Sequence, residues 1–202
     1  MWKCANCHHV ELSSDRPERC PICGAEAEKL VPHEVSGMRG TKTLKNLKAG
    51  FIAESQAHLR NLAFAMKADQ EGYSQVARLF RAIAEAEAVH AFNHLRLLGG
   101  VSSTQENLES AFERENLAGN SYPQFVRAAN EEDNADVATV LSYSRDVEKG
   151  HATLYKKALA YMMAEDEVEY HVCQVCGYVS DGVLPDECPI CGAPKEKFRR
   201  VV

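Results

Sequence analysis

Between Thr41 and about Gln70 the chain sets Leu44, Leu47, Phe51, Leu62 and Met66 at helical spacing, and Gly72 breaks the run. From Tyr73 to about Leu98 the same period continues through Val76, Leu79, Phe80, Ile83, Phe92 and Leu95, until Gly99-Gly100 ends it. Ser103-x-x-Glu106 has the form of a capping box and predicts a third helix. That helix is expected to stop near Gly119-Asn120, with Pro123 in the first turn of a short helix that follows. A last long helix is predicted from about Asp133 to Ala164. Long helices joined by short connections predict an antiparallel bundle.

The ends differ from this middle. Residues 1–33 and about 170–202 are rich in cysteine, proline and turn residues, whereas about 41–165 contain no cysteine. All eight cysteines form C-x-x-C pairs: Cys4/Cys7, Cys20/Cys23, Cys173/Cys176 and Cys188/Cys191. The strings Cys20-Pro21-Ile22-Cys23-Gly24-Ala25 and Cys188-Pro189-Ile190-Cys191-Gly192-Ala193 are identical, which marks an internal repeat of a small module. The expected fold is mostly α, a four-helix bundle flanked by two four-cysteine metal-binding knuckles. The expected domains are an N-terminal knuckle at 1–36, the bundle at 41–166 and a C-terminal knuckle at 168–202.

Paired C-x-x-C spacing reads as metal binding in a reducing compartment rather than as a disulfide framework. With no apolar leader after Met1-Trp2-Lys3-Cys4, the expectation is a cytoplasmic protein. The formal net charge of −6 and the lack of a long basic run argue against a nucleic-acid partner. No stretch has the apolar length of a membrane span.

The middle carries chemistry of its own. The second predicted helix contains Glu87-Ala88-Val89-His90 and the fourth contains Glu148-Lys149-Gly150-His151. Residues three apart share a helix face, about 4.5 Å apart along the axis, so a carboxylate and an imidazole can reach one metal ion. The remaining helices offer Glu54, in Gly50-Phe51-Ile52-Ala53-Glu54-Ser55, and Glu115, in Phe112-Glu113-Arg114-Glu115. One Glu from each of two helices, plus Glu-x-x-His from each of two others, is the di-iron carboxylate pattern. A single Glu-x-x-His is usually a solvated surface pair; two of them with a Glu on both other helices are far more specific. Glu85, Glu109 and Glu113 are expected to face solvent, and His58 to be an ordinary packed or exposed histidine.

These residues resemble the rubrerythrin family of the ferritin-like superfamily. Glu54-Ser55-Gln56-Ala57, Glu87–His90 and Glu148–His151 resemble its iron-binding helices, and Asn107 through Glu115, followed by Tyr122-Pro123-x-Phe125, resembles its third-helix region. Cys173 through Cys191, with Pro194-Lys195, resembles its rubredoxin-like domain. The resemblance covers nearly all of 41–202, and the N-terminal module resembles another rubredoxin-type or zinc-ribbon knuckle.

The resemblance implies a non-haem di-iron enzyme that reduces hydrogen peroxide to water in oxidative-stress defence. It implies two irons bridged by Glu87 and Glu148, with Glu54 and Glu115 terminal and His90 and His151 supplying imidazoles; with Tyr122 these form the candidate catalytic set. Electrons would come from an NAD(P)H-dependent reductase or a rubredoxin, through an iron bound by Cys173, Cys176, Cys188 and Cys191. Members are usually homodimers, and in many the rubredoxin-like domain of one subunit serves the di-iron site of the other.

Two positions depart from the pattern. The family carries a further Glu three residues after the third-helix Glu, where this chain has Ala118, and a Tyr where it has Asn61. The alternatives to a peroxide reductase are a ferritin-like ferroxidase and a non-enzymatic electron carrier. In the C-terminal knuckle, Gly177 and Gly192 leave backbone N–H groups free to bond the sulfurs, which favours iron. The N-terminal knuckle has His8 where the first glycine would stand, and Cys4, Cys7, Cys20 and Cys23 suit iron or zinc equally.

Overall fold

The structure is a computed structural model that describes residues 2–11, 15–33, 38, 40–160 and 168–201. It is mostly helical, with four long helices and a four-cysteine knuckle near each end of the chain. The expected domain boundaries at 36 and 166, and the expected helix end near Ala164, lie outside the described residues.

The described residues form two compact units. The first contains a small N-terminal sheet in which β1 (Trp2–Cys4) lies between β2 (Val10–Glu11) and β3 (Leu30–Pro32), antiparallel to both. It also contains α1 (Lys42–Gln70) and α2 (Ser74–Leu97). Thr41 caps α1 by accepting the Leu44 N–H at 3.1 Å. Glu71, Gly72 and Tyr73 turn the chain back, with Gly72 at φ 83°, a left-handed conformation that glycine adopts without strain.

The seam of this hairpin is built from small residues: Ala65 and Ala68 of α1, and Ala77, Ala84 and Ala91 of α2, are all buried. Gly50 adds to the close approach, because a Cβ there would lie 2.9 Å from Cε1 of His94. Leu44 and Leu98 close one end of the hairpin, with Leu47 and Phe51 packed against them. The larger apolar residues behave differently: Val76, Leu79 and Ile83 of α2 are exposed, so the apolar stripe of the sequence does not form the hairpin seam. Alanines can bring two helices close; the bulkier stripe lies on the face that carries Glu87 and His90.

The second unit contains α3 (Thr104–Glu131), α4 (Ala135–Ala160) and the C-terminal module. The capping box is present, with Ser103 Oγ accepting the Glu106 N–H at 3.3 Å and Ser103 N–H donating to Glu106 Oε2 at 3.3 Å. The expected break at Gly119-Asn120 does not occur: α3 runs unbroken through it and through Pro123. A proline inside a helix costs about 3 kcal/mol, from one missing N–H and a clash with the carbonyl four residues back. Here that residue is the buried Gly119. Packing along the α3–α4 hairpin outweighs the local cost, as it commonly does for long helices. Asp133 turns the chain at φ 57°, and α4 starts at Ala135, after the expected start.

In the C-terminal module β4 (Tyr170–Cys173) lies between β5 (Val179–Asp181) and β6 (Phe198–Val201). This is the same strand order as in the N-terminal sheet. Cys173, Cys188 and Ala193 are buried in its core, with Tyr178, Ile190 and Phe198 packed around them. Lys157 of α4 donates to Asp181 Oδ2 at 2.6 Å, tying β5 to the helix. No described helix is long and apolar enough to cross a membrane.

Candidate metal centre

Each helical hairpin brings together three of the predicted ligands. Glu54 of α1 meets Glu87 and His90 of α2; Glu115 of α3 meets Glu148 and His151 of α4. Within each group, ligand atoms lie within 4.8 Å of one another. In the first, His90 Nδ1 is 3.0 Å from Glu87 Oε2, and the His90 side chain is 56% exposed. In the second, His151 Nδ1 is 3.6 Å from both Glu115 Oε2 and Glu148 Oε2, and all three side chains are half-buried.

The second group fits a cation on two observations. Glu115 Oε2 is buried with no hydrogen-bond partner among the described residues. Burial, followed by the neighbouring Glu148 carboxyl, pushes the Glu115 carboxyl up to about 8. A bound cation would remove both penalties. Carboxylate and imidazole donors without thiolate suit iron.

The other ring nitrogen of His151 explains how the imidazole is aimed. Nε2 lies 3.2 Å from the Gly177 carbonyl oxygen, in the turn directly after Cys176. A carbonyl only accepts, so Nε2 carries the proton and Nδ1 turns its lone pair toward the two carboxylates. Sequence reasoning did not find this contact, because nothing local to either segment signals it. It also missed Tyr155, one turn beyond His151. Burial, then the Glu115 and Glu148 carboxylates, raises the Tyr155 phenol above its ordinary value. Tyr155 and His151 line a cleft of about 400 Å³ with Leu108, Leu154, Tyr170 and Val179. Its signal was available: Glu148, His151 and Tyr155 follow one helical face.

Other predicted residues lie outside the two groups. Tyr122 packs edge-to-face on Phe125, ring centres 5.7 Å apart, beside Ala118 in a cleft of about 370 Å³. His58 is a packed histidine, its Nδ1 donating to the Ala84 carbonyl at 2.8 Å. Asn61 donates to the Ala57 carbonyl at 2.9 Å. Glu85 is exposed, as expected. Glu109 is not simply solvated: it is half-buried, and its Oε2 lies 2.8 Å from His8 Nε2. Glu113 is half-buried as well, and belongs to neither ligand group.

The sulfur ligands also converge. Cys4, Cys7, Cys20 and Cys23 form one group, and Cys173, Cys176, Cys188 and Cys191 another. In the second, Sγ atoms of Cys173 and Cys191 are 3.7 Å apart, and those of Cys176 and Cys188 are 3.5 Å apart. Burial acts to raise the Cys173 thiol, but the N–H groups of Cys176 and Val175 outweigh it and the net shift is downward. Burial raises Cys176 and Cys191. Four converging sulfurs with N–H groups aimed at them suit a metal ion held by thiolates. The N-terminal knuckle departs at one backbone position. Gly177 has φ 84°, and its counterpart His8 takes φ 57°, a left-handed conformation uncommon for a residue with a side chain. The His8 ring faces two carboxylates of α3, Glu106 at 3.3 Å and Glu109 at 2.8 Å.

Helical hairpins bearing paired Glu and Glu-x-x-His ligands define a di-iron carboxylate protein of the ferritin-like class. The family model described as "Rubrerythrin" matches residues 45–159, and that described as "Rubrerythrin, rubredoxin-like domain" matches residues 2–30 and 171–199. The chain belongs to the rubrerythrin family, whose members are non-haem di-iron oxidoreductases. It is 33% identical to nigerythrin of Nitratidesulfovibrio vulgaris over 178 residues, 77% of this chain and 85% of that one. It is 34% identical to rubrerythrin of Porphyromonas gingivalis over 182 residues, 80% of this chain and 90% of that one. A solved structure of partially reduced nigerythrin matches 79% of this chain and 86% of that one at 35% identity, with a TM-score of 0.49. The cofactors are accordingly iron at the carboxylate–histidine groups and metal at both four-cysteine knuckles.

Proposed function

We propose that this chain reduces hydrogen peroxide to water at a two-iron centre. Glu54, Glu87, His90, Glu115, Glu148 and His151 would hold the irons, with Glu87 and Glu148 bridging them. The contact between His151 and Gly177 carries this reading. It joins a candidate iron ligand directly to the turn that holds Cys176, so an electron relay and an electron acceptor meet within one chain. Reduction takes two electrons and two protons: H2O2 + 2 e⁻ + 2 H⁺ gives two waters. When bound, an iron pair would supply the two electrons that reduction of the O–O bond requires, and iron held by the four C-terminal cysteines would supply electrons one at a time.

The chain's own groups do the rest. The Gly177 carbonyl holds the proton on His151 Nε2. Tyr155, its phenol raised, keeps its proton through the neutral range and is a proton source beside the cleft. Cys173, Cys176, Cys188 and Cys191 would hold the relay iron; Cys4, Cys7, Cys20 and Cys23 hold iron or zinc. The donor would be an NAD(P)H-dependent reductase or a rubredoxin, and the setting a cytoplasmic defence against peroxide. The test is peroxide-dependent NADH consumption by the iron-loaded protein with such a reductase.

One observation favours ferroxidase activity as the second reading. Ala118, one turn from Glu115, has no donor atom where the family carries an additional Glu, and Asn61 replaces a Tyr. Saturating oxidation of added ferrous iron, with no peroxide-dependent NADH consumption, would establish that reading instead.

A further inference from the structure

We propose that the cleft beside His151 takes the apolar arm of an organic hydroperoxide, so that the chain reduces compact hydroperoxides, ROOH, to alcohols. The inference rests on the peroxide-reduction reading above and names a further substrate class for it. Size is the first argument. The cleft holds about 400 Å³. One water takes up roughly 30 Å³ of the liquid, so hydrogen peroxide, with its two oxygens, needs on the order of 60 Å³. The space is several times larger than that substrate and falls in the range of small-molecule sites, about 300–1,000 Å³.

The lining is the second argument. Leu108 of α3, Leu154 and Ala158 of α4, and Val179 of β5 supply apolar walls. The polar groups are few: the His151 imidazole and the phenols of Tyr155 and Tyr170. Apolar walls with a small number of polar groups suit a ligand that is apolar over most of its surface and polar at one end. Hydrogen peroxide has no apolar surface, gains nothing from such walls, and would give up hydration to enter them. An organic hydroperoxide matches both parts of the lining.

The order of residues along α4 sets the direction of binding. His151 is grouped with Glu115 and Glu148, the carboxylates of a candidate iron site. The Tyr155 phenol feels the same two carboxylates, so it belongs to the same end of the cleft. Tyr155 lies about 6 Å and Ala158 about 10 Å beyond His151 along the helix axis. With its O–O group at the His151 and Tyr155 end, a bound hydroperoxide would extend its arm toward Ala158. That length suits a branched or aromatic arm better than a long acyl chain.

The reaction balances as ROOH + 2 e⁻ + 2 H⁺ giving ROH and H2O. The O–O bond breaks, its electron pair is reduced onto the two oxygens, and each oxygen takes up one proton. The electrons come from the same NAD(P)H-dependent donor as above. Tyr155, the proton source of the peroxide reading, lies at the end of the cleft where the alcohol oxygen is formed.

The test compares tert-butyl hydroperoxide with cumene hydroperoxide, which share a tertiary O–O group and differ by an aromatic ring in place of a methyl. With iron-loaded full chain and a reductase, kcat/KM should be at least about tenfold higher for cumene hydroperoxide. Ala158→Phe and Leu108→Trp fill the cleft from α4 and from α3. Each should lower kcat/KM for cumene hydroperoxide at least about tenfold relative to that for hydrogen peroxide. A second readout needs no turnover. Calorimetry on the oxidised iron-loaded protein, without reductant, should show saturable binding of 2-phenylpropan-2-ol, the alcohol product, and both variants should lose it. The thiolate-iron spectrum and far-ultraviolet circular dichroism report that the variants fold. Hydrogen peroxide turnover with no preference for cumene over tert-butyl hydroperoxide would overturn the proposal and leave the peroxide reading standing. So would alcohol binding that is absent from wild type or unchanged in both variants. No turnover of any peroxide would defeat the peroxide reading, and this proposal with it.

Discussion

The His151 ring and the Gly177 carbonyl, 3.2 Å apart, connect α4 to the turn that follows Cys176. This hydrogen bond fixes the imidazole tautomer, and in the proposed relay it would also place a backbone path between the Cys176 sulfur and His151. Replacing His151 by Ala removes both. After reduction, peroxide should restore the ferric thiolate colour at least tenfold more slowly, about 1.4 kcal/mol in barrier. Stopped-flow absorbance at the thiolate-to-iron band measures it, and an unchanged rate would refute the route.

Glu115 makes the metal-free protein sensitive to pH. Its folded carboxyl is raised from 4.5 to about 8, so between these values the folded state holds a proton that the unfolded state has lost. The stability this group contributes is fully present below pH 4.5 and is lost as pH rises to about 8. Iron must displace the same proton, so apparent iron affinity should rise across this window. Thermal melts of metal-free protein should therefore fall from pH 5 toward pH 8 relative to Glu115→Gln, while iron-loaded protein shows the opposite trend.

Glu87 and Glu148 are proposed to bridge the irons, and the four-cysteine sites use separate ligands. Alanine at either position should empty or cripple the carboxylate iron site and leave the ferric thiolate spectrum intact. The metal-free bundle should be as stable as wild type or more so, because an unpaired, partly buried carboxylate is removed. Metal analysis with absorbance separates these outcomes; full carboxylate-iron occupancy in either variant would refute bridging.

Much of this was legible in the chain. The starts of α1 and α3 were readable because Thr41 and Ser103 are caps with local hydrogen-bond partners. The two Glu/Glu/His clusters were readable because Glu-x-x-His repeats at a spacing that a helix brings to one face. The path of α3 was not, since the tolerance of Pro123 depends on packing and on Gly119 beneath its ring. Neither was the identity of the hairpin seam. Periodicity weights large residues, yet the closest packing uses Ala77, Ala84 and Ala91, and the large stripe on α2 is exposed. Contacts such as His151 with Gly177 and His8 with Glu109 join segments whose sequences carry no mutual signal.

His8 should be replaceable by glycine without loss of the N-terminal metal. Its left-handed backbone suits glycine better, which favours the knuckle itself. The ring, however, faces Glu106 and Glu109, partly exposed pairs worth about 0–1 kcal/mol. His8→Gly should keep metal stoichiometry and speed amide exchange around Asn6–His9. Metal loss would show that the ring itself supports the site.

Ala118 offers the sharpest test of the peroxide reading. It lies three residues beyond Glu115, close to the same face of α3, and borders a cleft with Arg114, Ser121 and Tyr122. The resemblance implies a carboxylate here that trades places with the second-helix histidine as the irons change oxidation state. Alanine has no donor, so His90 should remain bound in both states, giving each iron one Glu-x-x-His and one terminal Glu. Ala118→Glu restores the donor at a position that is only half-buried, so it fits without a large packing penalty. It also brings another negative charge toward Glu115 and Glu148, so the metal-free form should lose stability as pH rises, more steeply than wild type. With iron bound that charge is compensated, and peroxide turnover should increase by about tenfold or more. Spectra of oxidised and reduced protein should then differ in histidine ligation in the variant but not in wild type. Equal turnover in the two proteins, or histidine exchange already present in wild type, would show that Ala118 does not set the chemistry of this centre.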